Sequence, residues 1–313
     1  MTVKRFLLVF LLLVIAWNTV QGQDEDIIEI EVEELPIFTE TILLNTGWEM
    51  PLLGIDFSSF TPVQTENGVY LALKEGFRLI DIAGARGNEE AAGRAVRRAI
   101  EEGLVTREEI FITAGIWMEE SENPDEAGDA AIQQSLTLLG LEYIDLMILN
   151  QNRYDLDLAA WQAMERALAE GTVRSIGLSG FDEIRNFDLI VSQVTVPPAV
   201  LRVETHPYRQ NLELRQHLQQ YGTMIEAKDP LGGAVDKAVL FADPAVSVAA
   251  SRYRKTSDQI ILRWHLQNGI IAIPAASDEI RLDEYYQVLD FELDNEDMNR
   301  LDQLDRTMTY IYY

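Results

Sequence analysis

GFRLIDIAGARGNEEAAGRAVRRAIEEGLVTREEIFITAGI, residues 76–116, changes its hydrophobic period twice. Arg78–Ala83 and Ile110–Ile116 are short apolar runs of strand length. Between them, Glu89–Glu101 spaces its apolar residues three and four apart on a charged background, which is one face of a helix. The two runs do not alternate with polar residues, so both read as strands buried on both faces. A buried strand, a helix and a second buried strand make a right-handed crossover between parallel neighbours.

The same alternation runs through the rest of the chain. Strand-like runs recur at Leu52–Phe57, Tyr143–Asn150, Ser175–Ser179, Val200–Glu204, Met224–Ala227 and Ile270–Ile273. Helical spacing fills Glu66–Glu75, Glu126–Leu139, Leu158–Glu170, Glu183–Val191, Leu212–Tyr221, Ala245–Gln267 and the stretch from Arg281 onward. Eight strands each followed by a helix predict an α/β fold of the (β/α)8 TIM-barrel type over residues 41–313, with a hairpin around Thr41–Met50. In such barrels the groups that do chemistry stand at the C-terminal ends of the strands.

Composition narrows the function classes. The 313 residues contain no cysteine, which removes disulfides, thiolate metal sites and a cysteine nucleophile. Hydrophobic residues make up 47%, enough for a large core. Only 25 Lys and Arg stand against 52 Asp and Glu, a formal charge of −27 that repels phosphate backbones and makes nucleic acid a poor partner. Divalent cations or basic extracellular components suit that charge better. No metal-ligand motif is present, and the late acidic run DNEDMNRLDQLD lacks the glycine and spacing of an EF-hand loop.

Lys4 and Arg5 precede an apolar run from Phe6 to Trp17, and Val20 and Gly22 stand as the small residues of a cleavage site. Residues 1–22 are therefore expected to be an export signal, placing the protein outside the cell with no stable membrane span after cleavage; an uncleaved anchor is the alternative. Residues 23–40, dense in acids from Asp24 to Glu34, read as a solvated leader or linker.

Several segments resemble the aldo-keto reductases in order and spacing: LNTGWEMPLLGI (44–55), residues 76–96 of the opening stretch, SLTLLGLEYIDL (135–146), AEGTVRSIGLSGF (169–181), VETHPYRQ (203–210), DPLGG (229–233) and QIILRWHLQNGIIAIP (259–274). The resemblance implies carbonyl reduction with NADPH through an aspartate, a tyrosine, a lysine and a histidine. Asp81 matches the aspartate. The tyrosine position holds Arg86, the lysine position Gly115 and the histidine position Asn150. A guanidinium keeps its proton at physiological pH and cannot act as the general acid, although it can stabilise an oxyanion. Asn150 can orient a carbonyl but carries no charge.

The implied cofactor contacts are thinned as well. Ser179, Leu231, Arg281 and Glu284 remain at cofactor-contacting positions, while Gly180, Arg202, Lys228, Ala275, Ala276 and Tyr285 replace the family's residues. Losing one charge-assisted and one neutral hydrogen bond costs about 3–5 kcal/mol, roughly three orders of magnitude in affinity. Asp56, Asp81, Arg86, Arg202, Lys228 and Asp229 all map near the strand ends. They could close on one another as a satisfied polar network or line a pocket for a polar or zwitterionic ligand.

From these losses the expected reading is a secreted, catalytically inactive protein of this fold, retained as a binding or structural component, with no cofactor and no metal. The alternative is an NADP(H)-dependent oxidoreductase acting on carbonyl compounds by an altered mechanism. A third reading places a different reaction at the same strand ends, with Asp81 or Asp56 as base.

Overall fold

The computed structural model describes residues 40–84, 87–118, 123–151 and 154–306. The expected signal (1–22), nearly all of the acidic leader (23–40) and Arg86 lie outside these residues. An antiparallel hairpin comes first, β1 (Thr41–Leu43) against β2 (Glu49–Pro51). Eight parallel strands follow in one sheet and in chain order: β3 (Gly54–Asp56), β4 (Leu79–Asp81), β5 (Phe111–Ile116), β6 (Leu146–Asn150), β7 (Ile176–Ser179), β8 (Val200–Glu204), β9 (Met224–Lys228) and β10 (Ile271–Ala272). Parallel bridges from Leu53 to Ala272 and from Asp56 to Ala275 join the first of these to the last and close the barrel. Every residue of β6 is buried, as the continuous apolar runs require of strands covered on both faces.

The outer helices are α1 (Pro62–Glu75), α2 (Glu89–Glu101), α3 (Pro124–Leu139), α4 (Tyr154–Glu170), α5 (Ile184–Val191), α6 (Leu212–Leu218), α7 (Gly233–Phe241), α8 (Pro244–Tyr253), α9 (Ser257–Gln267), α10 (Glu279–Tyr286) and α11 (Asn295–Asp302). Their ends follow local chemistry. Thr61 caps α1 through a reciprocal box with Gln64, Pro62 occupies the first turn, and Gly76 ends the helix in the left-handed region at φ 119°.

Two helical expectations need correction. The single helix read over Ala245–Gln267 is two, because Arg254 turns left-handed at φ 55° and Thr256 starts α9 with its own capping box to Gln259. No glycine or proline marks that break, so the apolar spacing carries across it. Helix α7, which starts at Gly233 behind its cap residue Gly232, was not among the expected helices.

The hairpin lies under the N-terminal ends of the strands. Asn45 donates to the carbonyls of Pro198 and Tyr221, and Thr46 Oγ1 lies 2.7 Å from Ser175 Oγ, next to the starts of β8 and β7. Trp48, Arg174, Tyr143 and Arg107 alternate in a stack of rings and guanidiniums, with Arg174 4.1 Å from the Trp48 ring and 3.5 Å from the Tyr143 ring. Buried Asp145 accepts from both arginines. With its N-terminal end occupied in this way, the barrel leaves the C-terminal ends of the strands as the mouth. Among the described residues no helix is long and apolar enough to cross a membrane.

Candidate active site

Parallel register brings the sequence-selected residues to that mouth. Asp81 ends β4, Asn150 ends β6 and Ser179 ends β7, with Asn150 paired to Ser179 and Ser179 paired to Arg202 of β8. Gly115 is near the end of β5, and a Cβ built there would stand 2.0 Å from the Ala83 carbonyl oxygen. The strand runs so close to the turn after β4 that this position has no room for a side chain. Asn150 Nδ2 donates to the same Ala83 carbonyl at 3.1 Å, tying β6 to that turn.

Asp81 nevertheless has a cationic partner. Arg202, 5% exposed, reaches across from β8 and donates through Nη2 to Asp81 Oδ2. Its Nε and Nη2 also donate to both oxygens of Glu226 on β9, at 3.1–3.3 Å. Its Nη1 has no hydrogen-bond partner among the described residues. Asp81 Oδ1 is sealed and unpartnered. Burial pushes the Asp81 carboxyl well above the usual carboxylate range and raises Glu226 as well, with Arg202 pulling both back. Burial alone would lower the arginine, but Asp81, Glu226 and Asp56 together raise it.

The expected six-membered charge network is therefore redrawn. Glu226, not foreseen, is a full member. An acid inside the otherwise apolar MIEA run, facing a lone arginine in VLRVE, was the available signal. Asp56 accepts from Ser58 N at 2.6 Å and Ser58 Oγ at 2.8 Å and acts on the triad through space. Lys228 is exposed at the end of β9, and Asp229 begins the next turn in the left-handed region at φ 49°.

Beside the triad, His206 is fully buried, with Nε2 3.3 Å from Glu204 Oε1, and Arg209 holds the other Glu204 oxygen at 2.7 Å. The hydrogen bond from His206 lowers the Glu204 carboxyl. His265 packs inside the helix layer between two backbone carbonyls, and His217 pairs with Asp188 near the surface. Neither is at the mouth.

Whether these residues fit a nicotinamide nucleotide is decided at two places. Ser179, half-buried, and Arg202 are register neighbours and offer hydrogen-bonding groups to a carboxamide. At the other place, Lys237 of α7 and Arg281 of α10 converge on buried Asp258 Oδ1, at 3.7 Å and 3.5 Å, each with 43% of its side chain exposed. Glu284 accepts from Arg281 at 2.8 Å, and buried Tyr285 donates to Asp258 at 3.4 Å. Exposed Ala275 and buried Ala276 supply no charge, but the two neighbouring cations do, so the fit holds. Lys237 was missed because α7 was. Leu231 is buried in the turn leading to that helix.

The Aldo/keto reductase family matches residues 52–306. The chain belongs to the aldo/keto reductase family. Its members similar to this chain include a Bacillus subtilis (strain 168) protein named uncharacterized oxidoreductase YtbE, 36% identical over 272 residues and covering 85% of this chain and 92% of that one. An NAD(P)H-dependent D-xylose reductase I,II of Candida tropicalis is 33% identical over 301 residues, covering 85% and 92%. The crystal structure of an aldo/keto reductase from Brucella melitensis superposes with a TM-score of 0.78 at 32% identity, over 86% of this chain and 100% of that one.

These relatives overturn two expectations. The inactive reading gives way to an enzyme, since both curated relatives are named as oxidoreductases. The expectation of no cofactor is overturned too, because one of them is NAD(P)H-dependent. The physical reason lies in Arg202. The family's lysine position holds Gly115, and this aldo/keto reductase supplies a cation to Asp81 from β8 instead.

Proposed function

We propose that this aldo/keto reductase is an NADP(H)-dependent oxidoreductase acting on carbonyl compounds by a mechanism altered at the proton donor. The observation that carries the reading is the relocated pair: Asp81 is still held by a cation, Arg202, which is the register neighbour of Ser179 at the mouth. Ser179 and Arg202 would hold the carboxamide, and Arg281 and Lys237 the adenosine phosphate. The cofactor, when bound, supplies hydride. Asn150 spends one amide hydrogen on Ala83 and can offer the second to a substrate oxygen, polarising it without protonating it. The alcohol proton then comes from solvent. Loss of a positioned general acid costs about 10²–10⁴-fold in rate, so turnover should be slow and measurable.

The test is a titration with NADPH followed by its fluorescence, then a panel of aldehydes and ketones followed by nicotinamide absorbance. Arg202→Leu should weaken NADPH binding, with the folded fraction checked in parallel. No binding at millimolar NADPH would sink the proposal.

A further inference from the structure

The charge balance beneath the mouth is uneven. In the buried triad one guanidinium, Arg202, serves two carboxylates, Asp81 and Glu226, and a third, Asp56, acts on the same group. Burial raises both Asp81 and Glu226, and Arg202 opposes the rise in each. One guanidinium among three carboxylates leaves the acidic groups of the network in excess. Among the described residues the nearby cations do not rebalance it. Arg209 is occupied by Glu204 at 2.7 Å and Asp182 at 3.5 Å, and Lys228 stands beside Asp182 and Asp229.

We infer that this network makes the mouth hold the oxidised nicotinamide ring, which carries a positive charge, more tightly than the neutral reduced ring. The inference rests on the nicotinamide reading of the mouth proposed above. A buried charge of opposite sign is felt strongly where water is excluded. The same field stabilises positive charge growing on the ring as hydride leaves, an interaction stronger in the transition state than in the ground state. The chain thus offsets a missing proton donor on the oxygen side with electrostatic help on the hydride side. Glu226 and Asp56 act here as positioning residues, shaping the field without touching the cofactor or the reacting atoms.

The experiment is isothermal titration calorimetry of the full chain with NADP⁺ and NADPH separately, at one pH and ionic strength. Wild-type protein should bind NADP⁺ more tightly, by on the order of tenfold, the effect of a unit charge across a partly buried site. Glu226→Gln removes one acidic group while leaving Arg202 and Asp81 in place, and should cut that ratio by roughly tenfold. Asp56→Asn, nearer the surface and bonded only to Ser58, should move the ratio the same way by less, and serves if Glu226→Gln fails to fold. A merely structural role would weaken both forms alike. Equal wild-type affinities, or a ratio unchanged in the folded variants, overturns the inference alone. Binding of neither form overturns the nicotinamide reading itself.

Discussion

Arg202 on β8 donates to Asp81 on β4, a contact across 121 residues of sequence that spans the interior of the barrel. It replaces a pairing that the neighbouring strand β5 cannot make, since Gly115 has no room for a side chain.

Removing the arginine should show how much the triad depends on it. Arg202→Leu leaves Asp81 and Glu226 buried without a cation, and should cost about 3–5 kcal/mol in urea unfolding. Replacing all three by apolar residues of similar volume should recover most of that loss, because no buried charge is then uncompensated. A single-variant loss below about 1 kcal/mol would show that the triad does not hold the mouth together.

Gly115→Ala should destabilise by about 1–3 kcal/mol, as an overpacked core site does, because its Cβ would meet the Ala83 carbonyl at 2.0 Å. Asn150 uses the same carbonyl, so the variant should also loosen β6 against that turn. Faster amide exchange at both strand ends would be the sign. A thermally neutral Gly115→Lys would mean that the strand separation is adjustable.

Stability should fall as pH drops from 6.5 towards 4, through His265. Its pKa is pulled down to about 4 by burial, while hydrogen bonds to the Thr205 and Ile261 carbonyls offset part of that shift. In this window the unfolded chain binds the proton and the folded chain does not, so stability is fully present above the unfolded value and lost as pH falls. The contribution is at most about 3 kcal/mol. Urea titrations of wild type and His265→Gln between pH 4 and pH 7 should show a steeper pH slope in the wild type. Parallel slopes would clear the histidine of the role.

Arg174→Ala removes a guanidinium lying between Trp48 and Tyr143 and one of the two arginines on Asp145. About 1–2 kcal/mol of stability should go with it, from two cation–π faces and a half-buried ion pair. Trp48 emission should shift to the red as the hairpin loosens, and an unchanged spectrum would mean that its other contacts suffice.

Local chemistry in the sequence determined the fold in outline. Apolar runs too continuous for a one-sided sheet, helical spacing between them, and residues such as Thr61, Pro62 and Gly76 at helix ends each act within a few positions, so they are legible in one dimension. The break at Arg254 and the helix behind Gly232 were not, because spacing cannot register a turn that lacks glycine or tell a glycine cap from a loop. At the mouth, sequence identified Asp81, Gly115, Asn150 and Ser179 but not what Asp81 binds. Only the closed barrel decided that. Curving eight strands into a ring brings β4, β8 and β9 together at one axis, and there Arg202 and Glu226, two unremarkable charges in separate strands, become the partners that set the chemistry of the site.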